Sequence, residues 1–233
     1  MSATTPTTTD TIKKLTDREH ILTRASMYLG AIVDTPKEMM LLRDNKFEFV
    51  TVSYNPGFLK IFEEILDNAV DEAIKNKFAI GTNIRIAYDS RSNQFVVEDD
   101  GRGLPQTIAH DNLPMAVIAF TEARAGSNFG DDKANGIGMN GVGSYLTNCY
   151  SKKFEVNTYN SKNEIYICSI NNAESYTYSS KKSTKRGTKV SFIPDLEKFG
   201  MAEVPEVYFK LIQNRCLHLV QCFPELKFKL ELK

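Results

Sequence analysis

Over residues 56–76 the chain carries a helical repeat with two opposed faces. Leu59, Phe62, Ile65, Leu66, Ala69, Val70 and Ala73 recur at steps of three and four and make one apolar face. Glu64, Asn68, Asp71 and Glu72 recur at the same steps on the other. Asn55 is placed to cap this helix, and Pro56 sits at its first position, where the missing N–H costs nothing. The apolar face predicts packing against a sheet. The polar stripe has two readings. It is a solvated acidic face, the ordinary outer side of an amphipathic helix. Alternatively, it is the floor of a site. Glu64 and Asn68 are one turn apart, so a base and an oxygen ligand for a hard cation would point into one pocket.

The rest of the chain supplies the sheet. Alternating or β-rich runs fall at 46–54, read as a strand or hairpin arm, and at 83–88, 94–98, 154–159, 164–170, 174–179, 188–193 and 226–232. Helical patterns fall at 17–24, 115–124, 142–149 and 204–222, and Arg24 to Gly30 reads as a turn-like segment. With 233 residues and 42% hydrophobic content, this suits one large soluble domain or a domain with a small appendage. Residues 1–9 are almost all Thr, Ser, Ala and Pro, so residues 1–16 are expected to form a flexible arm ahead of a domain at 17–233.

Charge and cysteine usage exclude several classes. The 29 basic residues balance 29 acidic ones, which argues against a generally basic nucleic-acid-binding surface. No apolar run is long enough to span a bilayer. Cys149, Cys168, Cys216 and Cys222 contain no C-x-x-C pair, and the histidines do not cluster with them. Reduced core thiols in a cytoplasmic protein are the expectation. The basic tip at Lys181 to Arg186 reads as a solvated hairpin end.

Two stretches point to a phosphate-bearing ligand. Asp99-Asp100-Gly101-Arg102-Gly103-Leu104-Pro105 puts a carboxylate at a strand end, followed by glycines that let backbone approach a ligand. Residues 125–143 hold Gly126, Gly130, Gly136, Gly138, Gly141 and Gly143 ahead of a helical pattern. A glycine loop feeding a helix start collects anions on backbone N–H groups, and so many glycines predict mobility until a ligand binds. Gly136-Ile137-Gly138-Met139-Asn140-Gly141 matches G-x-G-x-x-G literally, but no strand precedes it, so the dinucleotide reading fails. There is no G-x-x-x-x-G-K-[ST] either.

Four features in order carry a resemblance. They are E-x-x-x-N on a helix, D-D-G-R-G-L-P after a strand, G-x-N-G-V-G before a helix, and Arg186-Gly187-Thr188 opening a late strand. Together they resemble the ATPase domain of the GHKL superfamily of gyrases, heat-shock chaperones, histidine kinases and mismatch-repair proteins. The segment from Glu19 to Gly30, the run Asp67-Asn68-Ala69-Val70-Asp71-Glu72-Ala73 and the run Ala125-Gly126-Ser127-Asn128-Phe129-Gly130 narrow this to type II DNA topoisomerases. The likeness covers residues 17–233 and is greatest to the large subunits of tailed-bacteriophage topoisomerases. Ala25-Ser26 departs from the usual entry segment. Asn140 and Asn128 stand where bacterial gyrases have His and Lys, as in eukaryotic type II enzymes.

The resemblance implies an α/β sandwich of the Bergerat type, a mixed and mostly antiparallel sheet of about eight strands with helices on one face. It implies ATP and Mg2+ as cofactors. Glu64 would be the general base and Asn68 a magnesium ligand. Asp99, helped by Thr188, would accept a hydrogen bond from the adenine amino group. Gly101 and Gly103 would pass close to the base, with Arg102 and Glu72 paired beside it. Gly138, Met139, Asn140, Gly141, Val142 and Gly143 would wrap the phosphates, and Asn128 would touch ribose or phosphate. The activity implied is ATP-driven closure of a gate in DNA strand passage. A mismatch-repair or chaperone ATPase, or a nucleotide switch without turnover, is the alternative. The implied partners are a second copy, other topoisomerase subunits, and DNA reached through regions outside this sequence. The second domain that supplies a γ-phosphate lysine in such enzymes is expected beyond Lys233, so the chain alone should hydrolyse ATP slowly and stay monomeric.

Overall fold

A computed structural model describes residues 14–43, 46–123 and 142–232. Its helices are α1 (Asp17–Thr23), α2 (Ala25–Leu29), α3 (Pro56–Lys75), α4 (Met115–Thr121), α5 (Gly143–Cys149) and α6 (Val207–Cys222). Its strands are β1 (Thr35–Arg43), β2 (Lys46–Tyr54), β3 (Asn83–Asp89), β4 (Gln94–Asp99), β5 (Ser151–Asn160), β6 (Asn163–Ile170), β7 (Ser175–Lys182), β8 (Arg186–Pro194) and β9 (Lys227–Leu232). Seven strands form one sheet in the order β7-β6-β5-β8-β4-β3-β9. Every neighbouring pair in it is antiparallel except β3 with β9, which is parallel.

The main sheet has seven strands where about eight were expected, and the run at 46–54, read as a strand or hairpin arm, lies in a hairpin outside it. Residues 46–54 do form a strand, but β2 pairs only with β1 in a separate two-stranded ribbon. Strand β1 escaped notice because Thr35-Pro36-Lys37-Glu38-Met39-Met40-Leu41-Leu42 has no clean alternation and its Met and Leu residues favour helix. The supposed turn after Arg24 is also a short helix, α2, closed by Gly30 at φ 72°.

The register of three central strands decides what the sheet presents. Phe154, Phe192 and Phe95 lie side by side on β5, β8 and β4, and Val156, Val190 and Val97 form the next row. All six are buried on the face that meets α3. Phe58 and Phe62 of α3 reach Phe95 with ring centroids 6.2 and 5.6 Å apart, and Phe95 stacks on Phe192 at 5.5 Å. The third row, two residues further along each strand, is Thr158, Thr188 and Asp99. Strand residues two apart share a face. The inward face therefore turns from apolar to polar at one end of the sheet.

Helix α3 starts where its sequence says. The Asn55 side-chain oxygen accepts the Phe58 N–H at 3.1 Å, and Pro56 follows the cap. Asn55 also donates through its amide to the Ile32 carbonyl at 2.5 Å, and its own N–H donates to the Tyr208 hydroxyl at 2.8 Å. The buried stripe is wider than the seven residues read from the sequence, because Phe58 and Ile61 are buried as well. Asp71, expected on the polar face, is 4% exposed and faces inward. A residue that caps a helix and ties two other elements to it carries more than a cap alone. Asn55→Ala should therefore destabilise the fold by about 2–3 kcal/mol, read as a lower urea midpoint at unchanged slope.

Candidate functional site

The polar stripe of α3 runs along the polar end of the sheet. Helix α5 crosses α3 and is pinned there. The Thr147 hydroxyl donates to the Ile61 carbonyl at 2.7 Å, and the Asn148 amide ties α5 to α4 through the Phe120 carbonyl at 3.0 Å. This crossing sets Gly143 against Glu64. A methyl group on Gly143 would overlap the Glu64 carboxylate, so only glycine lets the two elements meet. One turn along, the Asn68 amide donates to the Ser144 hydroxyl at 2.9 Å.

One more turn along α3 stands Glu72. Its carboxylate takes the Arg102 guanidinium in a two-pronged pair at 2.9 and 3.0 Å, and also the Arg102 backbone N–H at 2.8 Å. Burial alone would raise the Glu72 pKa, but these bonds from Arg102 outweigh it and hold the group below its usual value. The pair closes the loop after β4 onto the helix. Gly101 lies between, close enough that a methyl there would strike the Glu72 side chain.

Asp99 ends β4 opposite Thr188. Burial is the largest effect on its carboxyl, and the neighbouring Glu72 adds to it. Hydrogen bonds from the Gly101 and Thr188 backbones pull the other way, and the net result lifts its pKa from an ordinary 3.8 to about 7. The Gly101 N–H donates to one of its oxygens at 2.8 Å. Thr188 lies 3.3 Å from Thr158, hydroxyl to hydroxyl, and Thr158 in turn accepts the Leu104 N–H at 2.8 Å. Gly103 packs against the Tyr159 carbonyl.

Of the residues singled out in the sequence, Glu64, Asn68 and Gly143 lie where α3 crosses α5, and Val142 immediately precedes α5. Asp99, Gly101, Arg102, Gly103 and Thr188 meet at the polar end of the sheet. Asn128, Gly138, Met139, Asn140 and Gly141 lie outside the described residues. Sequence reasoning missed four others. Lys60 pairs with Glu64, Ser144 holds Asn68, and Thr158 joins Thr188 to the loop. Gly187 has φ 107° with its Cα packed on the Asp99 carbonyl. Only Lys60 and Gly187 had a local signal, the first by its step of four from Glu64 and the second by its place in Arg186-Gly187-Thr188. Two clefts, of 260 Å³ beside Tyr166 and 550 Å³ beside Tyr208, lie away from this cluster.

A half-buried carboxylate beside two hydroxyls thus stands at the polar end of the sheet, where the Glu72–Arg102 pair ties the loop after β4 to α3. The chain matches the family described as histidine kinase-, DNA gyrase B- and HSP90-like ATPase over residues 55–198, and it belongs to that family. Within it, the chain is 38% identical to the DNA topoisomerase large subunit of Enterobacteria phage T4 over 93% of its own length and 42% of that protein's. It is 32% identical to DNA topoisomerase 2 of Trypanosoma brucei brucei over 94% of its length and 18% of that protein's. The chain thus spans less than half the length of these curated relatives. The fold matches the ATPase region of Saccharomyces cerevisiae topoisomerase II with a TM-score of 0.83 at 26% identity, covering 95% of this chain and 60% of that one. The chain is homologous to the ATPase region of type II topoisomerases, and an ATPase domain of this kind implies ATP binding. Among the described residues no helix is long and apolar enough to cross a membrane.

Proposed function

We propose that this chain binds ATP with Mg2+ and hydrolyses it as the gate domain of a type II DNA topoisomerase. The observation that carries the proposal is the third cross-strand row. Asp99 and Thr188 lie side by side at the end of an otherwise apolar face, opposite the stripe formed by Glu64, Asn68 and Glu72. Asp99 receives the adenine amino group, and Thr188 lines the same edge. Gly101 and Gly103 let backbone lie close to the purine, and the Glu72–Arg102 pair holds that loop in place. Glu64 orients the attacking water and takes its proton. Backbone N–H groups from Gly138 to Gly143, with Asn128, receive the phosphates. Phosphoryl transfer mostly requires such positioning and charge stabilisation.

The donor set fits magnesium only as an ion carried by the nucleotide. Among the described residues no group of three or more His, Cys, Asp or Glu side chains is placed to hold a metal. Asn68 supplies one hard oxygen, and magnesium characteristically takes its other ligands from phosphate and water. Bound there, the ion would neutralise charge on the phosphates. The expected arm at residues 1–16 lies outside the described residues up to residue 13, and Thr16 caps α1. DNA and further subunits engage regions outside this sequence, in the cytoplasm of the infected host.

The test is a calorimetric titration with a non-hydrolysable ATP analogue, with and without magnesium, beside the matching GTP analogue. Saturable binding that tightens with magnesium is expected. Guanine presents an oxygen where adenine presents its amino group, so its analogue should bind at least ~100-fold more weakly. Equal affinity for both purines would remove Asp99 from the recognition.

A further inference from the structure

Thr158 is fully buried in the middle of the sheet, where β5 runs between β6 and β8. Its side chain still carries a hydroxyl hydrogen, and a donor left without an acceptor in such a place is costly. A hydroxyl donates once and accepts twice. The Leu104 N–H already donates to the Thr158 oxygen at 2.8 Å, so that contact cannot take the hydrogen. Among the described residues the acceptor within reach is the Thr188 hydroxyl oxygen at 3.3 Å. Thr158 therefore donates and Thr188 accepts, which turns the Thr188 hydrogen away from Thr158. Asp99 takes the Thr188 backbone N–H rather than its hydroxyl. Thr188 is only half-buried, so its hydrogen is left for whatever meets the polar end of the sheet.

We propose that Thr158 is a positioning residue for purine recognition: it holds the Thr188 hydroxyl as a donor beside the Asp99 acceptor, so that the end of the sheet matches adenine. The proposal rests on the reading that Asp99 and Thr188 face the adenine. Adenine presents a donor, its amino group, next to an acceptor, the ring nitrogen N1. Asp99 and Thr188 lie directly opposite each other on β4 and β8 and so present an acceptor next to a donor. Without Thr158 the Thr188 hydroxyl would turn among three staggered wells, and only one of them serves the ring nitrogen. Thr158 also ties the loop after β4 to this row. Its hydroxyl takes the Leu104 N–H, and its carbonyl takes the Gln106 side-chain amide at 3.2 Å. One residue thus sets both the seat of the loop and the direction of the donor.

The experiment is a competition titration against a fluorescent ADP, with magnesium. The competitors are ADP, 1-deaza-ADP, which lacks the ring acceptor, and purine riboside diphosphate, which lacks the amino group. Diphosphates keep hydrolysis out of the measurement. The parent chain, Thr158→Val and Thr158→Ser are compared, and a thermal melt checks that each is folded. The parent should bind ADP about 10-fold more tightly than 1-deaza-ADP, the worth of one hydrogen bond. In Thr158→Val that ratio should fall to roughly 3-fold, because three wells share what one held. Thr158→Ser should restore it. A merely structural role would weaken both nucleotides in proportion, and a ratio unchanged from the parent's in Thr158→Val would overturn the proposal. Should valine melt the fold, Thr158→Cys takes its place, and its weak S–H donor is expected to lower the ratio in the same direction. Equal binding of ADP and purine riboside diphosphate by the parent would instead overturn the reading of Asp99 on which the proposal rests.

Discussion

Glu64→Gln should bind the ATP analogue within a few-fold of the parent chain and hydrolyse ATP at least ~100-fold more slowly, the usual scale for a positioned general base. The substitution keeps the shape but replaces the charged, basic carboxylate with a neutral amide that cannot take a proton from water. Its surroundings favour a clean result. Gly143 packs against the carboxylate and admits an amide of the same size, and the crossing of α3 and α5 rests on Thr147 and Ile61, which are untouched. Lys60 loses its partner, but its half-exposed ammonium returns to water. Single-turnover hydrolysis and a calorimetric titration on the same preparation separate the two effects. Normal turnover in the variant would take Glu64 out of the mechanism.

Asp99→Asn should abolish most nucleotide affinity while making the free protein more stable at pH 8. The two effects have one cause. The Gly101 N–H already donates to one Asp99 oxygen, so an amide at this position must keep its own oxygen there. Its NH2 then points where the adenine amino group would arrive, donor against donor, and both are left mispaired. A loss of about 100-fold or more follows from the cost of burying such groups unsatisfied.

The stability gain follows from the pKa. In the folded chain Asp99 titrates at about 7 rather than 3.8, so the native state holds a proton that the unfolded chain has lost between those values. Stability from this group is therefore full below the ordinary value and falls as pH rises toward 7, after which the cost is constant. Asparagine carries no such charge. Discounted for partial exposure, the relief is on the order of 2 kcal/mol, or roughly 4–8 °C in Tm for a domain of this size. It should appear at pH 8 and vanish near pH 4. A variant that neither melts higher at pH 8 nor loses nucleotide affinity would place the purine elsewhere and show Asp99 to be solvated.

Much of this was legible before any coordinates. The steps of three and four in α3, its Asn55 cap and its Pro56 start gave its limits to within a residue. Alternation in Ile84, Ile86 and Tyr88 named the inward side of β3, and all three are buried. Where local pattern and fold disagreed, the reason was local as well. Strand β1 is held by nine pairings with β2 rather than by its own alternation, and α2 is too short to leave a periodic trace. Asp71 sits at a polar step of the helix yet is turned inward, because elements on more than one side bury α3.

The sequence alone determined the chemistry available: a base and an amide one turn apart, a carboxylate at a strand end, glycines around both, and no P-loop. These are local facts, set by helical and strand periods that any stretch of chain must obey. Only the tertiary structure decided which of those groups face one another. Asp99, Thr188 and Thr158 share a row because three strands distant in sequence pair in one register, and a slip of one residue would have turned all three outward. Glu64 meets Gly143, and Asn68 meets Ser144, because α5 is fastened across α3 by the Thr147 hydroxyl, a contact between residues 86 positions apart. Register and helix crossing are settled by burying the whole core at once, and no window of sequence contains that information.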